Sequence, residues 1–148
     1  MKLLRKILPI VLLFALLPLP VRGVANEEYT YYADGSYIMM FDTVLENRSG
    51  STKQISRTAV HHNALGVEQW RVTLNTTFSY DGQTSKCDVA NITINISGSG
   101  WYTVSRSASR DGDTGSCTVV MGYKLIGITT DKKTVEMSIS CDKNGNIS

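Results

Sequence analysis

The sequence predicts an all-β protein with one domain, and three observations support this fold class. Apolar and polar residues alternate at period two in several segments, which is the pattern of strands that bury one face. Pairs of Asp, Asn and Gly that favour tight turns separate these segments. No segment shows the spacing of an amphipathic helix. Short strands at regular spacing are typical of a single antiparallel β-sandwich, immunoglobulin-like in architecture, or of a small barrel.

Residues 1–25 are predicted to be a signal peptide. A basic N-terminus precedes an apolar run over residues 7–19, which is too short to span a bilayer. The small residues Gly23 and Ala25 suit cleavage before Asn26. We therefore expect a secreted, extracellular protein that makes no membrane contact once the signal is removed.

The composition indicates a globular protein without a nucleic-acid partner. Of the 148 residues, 42% are hydrophobic and 19% are charged, which is an ordinary globular mixture and not that of a disordered chain. Without the four basic residues of the predicted signal peptide, the chain has eleven basic and thirteen acidic side chains, so its net charge is near −2. This balance does not provide the basic surface that grips phosphates.

Residues 26–53 are expected to form an N-terminal hairpin or a flexible arm. The hairpin would pair residues 29–33 with residues 36–45 around a turn at residues 34–35. The alternating pattern is weaker here than later in the chain, which keeps the flexible arm open as an alternative. The β-sandwich domain itself is predicted over residues 54–148.

The clearest strand runs over residues 70–80, where every second residue from Trp70 onward is apolar, Thr or aromatic and the others are polar. A weaker strand over residues 55–62 precedes it. After the turn at residues 81–82, a strand begins near Cys87 and changes phase, which predicts a bulge near residues 90–91. The remaining strands are expected over residues 101–108, 117–125 and 135–141.

Six short motifs of turn and core residues stand out between residues 54 and 148. They are Trp70–Leu74, Phe78–Gly82, Cys87, Trp101, Ser105–Ser109 and Cys141–Ser148. Together they resemble an uncharacterised family of small secreted proteins from Gram-positive, clostridia-like gut bacteria. The resemblance implies an extracellular compartment and this fold, but no activity. The chain departs from the family pattern at Cys117, where a small or hydroxylic residue is expected.

The three cysteines permit one disulfide and leave one thiol. The resemblance and the placement of Cys87 and Cys141 at strand ends favour a bridge between these two. Cys117 lies within a strand pattern and is expected to stay a buried thiol.

No catalytic, cofactor-binding or metal-ligating residue is predicted. The cysteines lack the close pairs of a zinc site. A thiol nucleophile would need His61 or His62 as its base, and such imidazoles are more often simply solvated. The two neighbours should point to opposite faces of a strand, so they cannot bind one metal ion together. A nucleophile elbow is also missing, because Ser97 stands where the motif around Ser99 requires Gly.

The neighbours Trp101 and Tyr102 supply the best candidate for a contact residue, because one of two adjacent strand residues points outward. Tyr102 is in phase with Val104 and is expected to be the buried one, which leaves Trp101 as the possible contact. Trp70 is expected in the core. Polar strand faces around Asn75 and Asn95 could also contact glycans.

The sequence thus predicts a secreted non-enzymatic β-sandwich protein that binds a cell-surface, glycan or protein partner. The alternative is a small extracellular hydrolase with an unrecognised active site.

Overall fold

The computed structural model describes residues 24–45 and 50–148, which form eight strands in two antiparallel sheets. The strands are β1 (Val24–Tyr31), β2 (Tyr37–Leu45), β3 (Thr52–His62), β4 (Glu68–Tyr80), β5 (Ser85–Ile96), β6 (Trp101–Asp111), β7 (Thr114–Leu125) and β8 (Ile128–Ser140). The predicted all-β sandwich is confirmed. The predicted signal peptide lies outside the described residues, apart from the two residues that begin β1. In this part of the chain, no helix is long and apolar enough to cross a membrane.

Each sheet keeps its strands in chain order. Strands β1 to β5 form one sheet and β6 to β8 form the other, with neighbouring strands antiparallel throughout. The chain passes from one sheet to the other after β5. This sequential order differs from the Greek-key connections of immunoglobulin domains.

The core lies between the sheets and is built from the inward phase of the strands. Strand β4 contributes Trp70, Leu74 and Phe78, none of which is exposed to solvent. Val119 and Met121 of β7 face them and are also fully buried. The period-two pattern therefore identified this core face correctly, because one face of each central strand is covered.

A bulge lies in β5 at Asp88, two residues before its predicted position. Thr77 pairs with Val89 and Phe78 with Cys87, so Asp88 has no partner opposite it. The extra residue reverses the phase of the strand. Val89 consequently points outward and is 38% exposed, whereas Cys87 is buried.

The N-terminal segment forms a hairpin that belongs to the larger sheet. Strand β2 pairs with β3 from Tyr37 opposite His62 to Leu45 opposite Gln54. An inward ion pair between the two strands joins Arg57 to Asp42, with both nitrogen–oxygen distances at 2.7 Å. Arg57 also donates to the carbonyl of Ser138 on β8, which links this part of the sheet to the opposite one.

The connections between strands divide into two ends, which we call the front end and the rear end. The front end carries residues 32–36, 63–67, 97–100 and 126–127. Backbone hydrogen bonds tie the connection over residues 97–100 to two strand ends, because Gly98 donates to Gln69 of β4 at 2.7 Å and Lys124 of β7 donates to Gly100 at 2.8 Å. The rear end carries residues 81–84, 112–113 and 141–148.

Candidate functional site

An exposed row of aromatic rings crosses the outer face of the five-stranded sheet near the front end. Tyr31 of β1 lies opposite Tyr37 of β2, which lies opposite His62 of β3. Tyr29 precedes Tyr31 by two residues and therefore points to the same face. We call these four residues the tyrosine platform.

The rings of the tyrosine platform pack side by side and leave part of their surface open. Tyr37 and His62 are stacked, with centroids 4.8 Å apart and ring planes at 14°. Tyr31 lies 5.6 Å from Tyr37 and 6.2 Å from Tyr29. Tyr31 is 71% exposed and Tyr29 is 44% exposed. The platform is thus a continuous aromatic surface that a flat ligand can reach.

A charged pair extends the row beyond His62. Glu68 of β4 lies opposite His62, and its carboxylate accepts hydrogen bonds from Arg71 at 2.8 and 3.2 Å. These hydrogen bonds hold the pKa of Glu68 below its usual value. The aromatic row therefore ends in an ionised carboxylate beside a guanidinium, and both are partly exposed.

Polar side chains continue along the same face away from the front end. The Thr58 and Thr73 hydroxyls are 3.1 Å apart, and Asn75 donates to the Thr93 hydroxyl at 3.2 Å. Ser56 donates to the side-chain oxygen of Asn75 at 2.8 Å. This is the polar strand face that the sequence predicted around Asn75.

The Tyr29 hydroxyl forms a hydrogen bond with a carboxylate on the same edge strand, β1. It donates to the carboxylate of Glu27 at 2.8 Å. This hydrogen bond raises the pKa of Tyr29 above its ordinary value. The same hydrogen bond orients the phenol at the edge of the aromatic row.

Trp101 and Tyr102 are placed in the reverse of the expected arrangement. Trp101 packs inward against Trp70, with centroids 5.9 Å apart, and against Tyr123 at 5.3 Å. Tyr102 lies on the outer face of the smaller sheet, and its hydroxyl is 2.7 Å from that of Thr129.

A bulge explains the reversal. Thr103 pairs with Met121 and Ser105 with Val120, so Val104 is the extra residue. Val104 is also 43% exposed, so a residue in phase with it is not thereby buried. Trp101 is therefore not an exposed contact residue, and the aromatic contact surface lies instead on the tyrosine platform.

The two histidines point to opposite faces, as their adjacency predicts. His61 is only 2% exposed and stacks on Trp70, whereas His62 joins the outer row. Neither ring nitrogen of His61 has a hydrogen-bond partner within residues 24–45 and 50–148. Burial, together with the positive charge of Lys133, lowers the pKa of His61 to about 4. This imidazole is neutral at pH 7 and too enclosed to act on a substrate.

The three cysteines are buried free thiols, so the structure lacks the expected Cys87–Cys141 bridge. The Cys87 thiol points to the Val89 carbonyl at 3.2 Å, and the Cys141 thiol to that of Asp142 at 3.5 Å. Burial raises the pKa of all three thiols, which keeps them protonated.

Cys87 and Cys141 nevertheless lie at the same end of the fold. Their backbone amides donate to the consecutive carbonyls of Gly112 and Asp113, at 2.9 and 3.1 Å. The two cysteines thus flank one turn at the rear end, while His61 lies at the front end.

The acidic turns of the rear end are closed by their own side chains. One carboxylate oxygen of Asp142 accepts the amides of Asn144 and Asn146 at 2.8 and 2.9 Å. Asp81 accepts the amides of Gln83 and Thr84 in the same way. The Asn146 side-chain amide, which donates to Asp142 at 2.8 Å, and the backbone amides of Asn146 and Asn144 hold the pKa of the Asp142 carboxyl below its usual value. The amides of Thr84 and Gln83 lower the pKa of Asp81 in the same way. Among the described residues, no group of three or more His, Cys, Asp or Glu side chains could hold a metal ion.

An open depression of about 500 Å³ lies beside these turns. It is lined by Gly50, Ser51, Tyr80, Asp81, Gly82, Lys143 and Asn144. Neither a histidine nor a second carboxylate is among the described residues that line it, and Asp81 is already occupied by backbone amides. Among the residues that the structure describes, the depression therefore offers no acid–base pair for hydrolysis.

Comparisons of the chain with protein-family models, with curated proteins and with solved structures found no match.

Proposed function

We propose that the protein is an exported, non-enzymatic binding module that holds a glycan chain on the tyrosine platform. One observation carries this proposal. Tyr31, Tyr37 and His62 lie in register on three neighbouring strands, with their rings packed side by side and Tyr31 open to solvent.

The chemistry of the row matches both parts of a sugar. A pyranose ring has a face of C–H groups that packs on an aromatic ring, and hydroxyl groups that need donors and acceptors. The rings provide the first surface, while Glu68 and Arg71 provide charged hydrogen-bonding groups at the end of the row.

The length of the row favours a chain over a single sugar. From β1 to β4 the row crosses three inter-strand spacings, which is about 14 Å. Because the row lies on the open outer face of the sheet, a ligand would lie along it and stay accessible to solvent. This geometry suits the side of an oligosaccharide or polysaccharide.

The surroundings of the row favour binding over cleavage. Hydrolysis of a glycosidic bond ordinarily uses two carboxyl groups that face each other across the bond. Glu68 is paired with Arg71, and the low pKa of its carboxyl makes it a poor proton donor. The other carboxylate at the row, that of Glu27, lies on β1 beside Tyr29, three inter-strand spacings or about 14 Å from Glu68, which is too far for such a pair.

A glycan array followed by calorimetry tests the proposal. We expect the unmodified protein to bind an oligosaccharide, and Tyr31→Ala to weaken the affinity at least about tenfold because an open stacking surface is removed. Tyr102→Ala is the matched control, since it removes a ring of the same size from the outer face of the other sheet.

Two results would contradict the proposal. One is the absence of binding to any glycan of the array. The other is an equal loss of affinity in the Tyr31 and Tyr102 variants. Release of reducing ends from a bound glycan would instead favour the hydrolase.

A further inference from the structure

The exposed apolar side chains are concentrated at the front end. Among the described residues, six large hydrophobic side chains are more than half exposed, and all six lie there. They are Tyr31, Leu65, Val67, Leu125, Ile126 and Ile128. Monomeric soluble proteins tolerate single exposed apolar residues, but a group of them at one end indicates an interaction surface.

The aliphatic members of this group project from two hairpin tips, one in each sheet. In the β3–β4 tip, the Asn63 side chain accepts the amides of Leu65 and Val67, both at 3.0 Å. This turn leaves Leu65 87% exposed. In the β7–β8 tip, Ile126 is 93% exposed and is flanked by the exposed Leu125 and Ile128.

The backbone of the β7–β8 tip is strained at its most exposed residue. Ile126 has a φ of 51° and Gly127 a φ of 77°, so both central residues are left-handed. A two-residue hairpin turn of this type strongly favours Asn-Gly, and a β-branched residue is an outlier there. The side chain of Ile126 is almost fully exposed, so its burial within the fold does not offset this strain. An apolar residue kept in a strained and exposed position points to a contact outside the chain.

The charges near this tip leave a positive excess, because Lys124, Lys132 and Lys133 outnumber the carboxylates of Asp131 and of Asp34 in the 32–36 turn. Lys124 and Lys132 are exposed and lie on the two strands that lead to the tip. The neighbouring acid, Asp131, is paired with Lys133 at 3.1 Å. The tip thus combines aliphatic side chains with lysines behind them, which complements an anionic lipid surface.

We propose that the front end docks on an anionic lipid bilayer. Leu65, Ile126 and Ile128 enter the boundary between headgroups and acyl chains, and the Lys124 and Lys132 ammonium groups contact lipid phosphates. Two separate convex tips suit a deformable apolar medium better than a rigid protein surface, which would need a continuous complementary face. This inference departs from the sequence-based expectation of no membrane contact, and it is independent of the proposed glycan binding.

Sedimentation with lipid vesicles tests the proposal. We expect the full chain to partition onto vesicles that mix phosphatidylcholine with phosphatidylglycerol, and much less onto pure phosphatidylcholine. Ile126→Asn should lower the partition coefficient roughly tenfold, since one inserted aliphatic side chain is lost. The Ile126→Asn variant should keep the native fold, because asparagine readily adopts the left-handed backbone conformation of this turn. Adding Leu65→Gln should remove most of the remaining binding.

Val89→Asn is the matched control, because it removes an exposed aliphatic side chain far from both tips. Its partition should equal that of the unmodified protein. The proposal is overturned if the unmodified protein does not partition, or if the Ile126 and Leu65 variants bind vesicles as well as it does. It is also overturned if size exclusion shows a dimer that these variants convert to monomer, because the tips would then serve self-association. Glycan binding measured without lipid stays a separate result.

Discussion

His61 stacks on Trp70 inside the sandwich, with ring centroids 5.0 Å apart and planes at 17°. Trp101 packs edge-on against His61, with ring centroids 4.9 Å apart and ring planes at 64°. A histidine in this position behaves as an aromatic core residue, because burial lowers the pKa of its imidazole to about 4.

The first prediction concerns acid stability. In the unfolded chain the pKa of His61 is about 6.5. Below that pH the unfolded state binds a proton that the folded state does not bind until the pH approaches 4. The contribution of the neutral His61 side chain to the free energy of unfolding is therefore complete above about pH 6.5, and it is lost as the pH falls toward 4. The full loss amounts to about 3 kcal/mol.

Urea unfolding between neutral pH and about pH 4 measures this loss. His61→Phe keeps a ring against Trp70 and removes the titration, so its stability should change less over the same range. An equal decline in both proteins would show that other groups cause the acid sensitivity.

The second prediction uses the neighbours Trp101 and Tyr102. Trp101→Ala opens a cavity beside Trp70 and should destabilise the fold by about 2–4 kcal/mol. Tyr102→Ala acts on the outer face and should cost about 1 kcal/mol. Denaturant unfolding decides between them, and a larger cost for Tyr102 would contradict the inward position of Trp101.

These two residues also mark where sequence patterns stop being informative. The period of β4 identified its core residues because each inward position is covered by the opposite sheet. The extra residues Asp88 and Val104 reverse the phase of β5 and β6, and a bulge is fixed by pairing with the neighbouring strand. Val104 is 43% exposed, so taking it as a buried position placed Tyr102 on the wrong face.

The tyrosine platform was missed for a different reason. Its rings come from three strands, and the first two lie in the weakly patterned N-terminal segment. The alternation of Tyr29 and Tyr31 and the turn before Tyr37 were the available signals, since a tight hairpin there sets Tyr31 opposite Tyr37. The position of His62 depends on the pairing of β2 with β3, which the sequence does not fix.

The third prediction concerns the thiols. Because Cys87, Cys117 and Cys141 are buried and their pKa values are raised, the native protein should react slowly with a thiol reagent. All three thiols should react after unfolding without reductant. If only one reacts, and peptide mapping finds Cys87 joined to Cys141, the bridge favoured by the sequence forms instead.

The fourth prediction compares two ion pairs. Arg57 and Asp42 are half-buried between strands, and Arg57 also bonds to β8. Asp42→Ala leaves the guanidinium without its carboxylate and should cost about 2–3 kcal/mol. Glu68→Ala breaks the more exposed pair with Arg71 and should cost less than about 1 kcal/mol. Equal costs in denaturant unfolding would mean that the half-buried Arg57–Asp42 pair stabilises the fold no more than the exposed pair does.

The last prediction concerns Ile126, whose left-handed backbone conformation disfavours a β-branched residue. Ile126→Asn should stabilise the protein by about 1 kcal/mol, because asparagine is suited to this turn and a nearly fully exposed isoleucine loses little packing. Gly127→Ala is the opposite control, since it adds a Cβ at a second left-handed position and should destabilise the tip. Thermal and denaturant unfolding measure both changes. A decrease in stability for Ile126→Asn would mean that the isoleucine side chain supports the fold, and the strain could then no longer be attributed to an external contact.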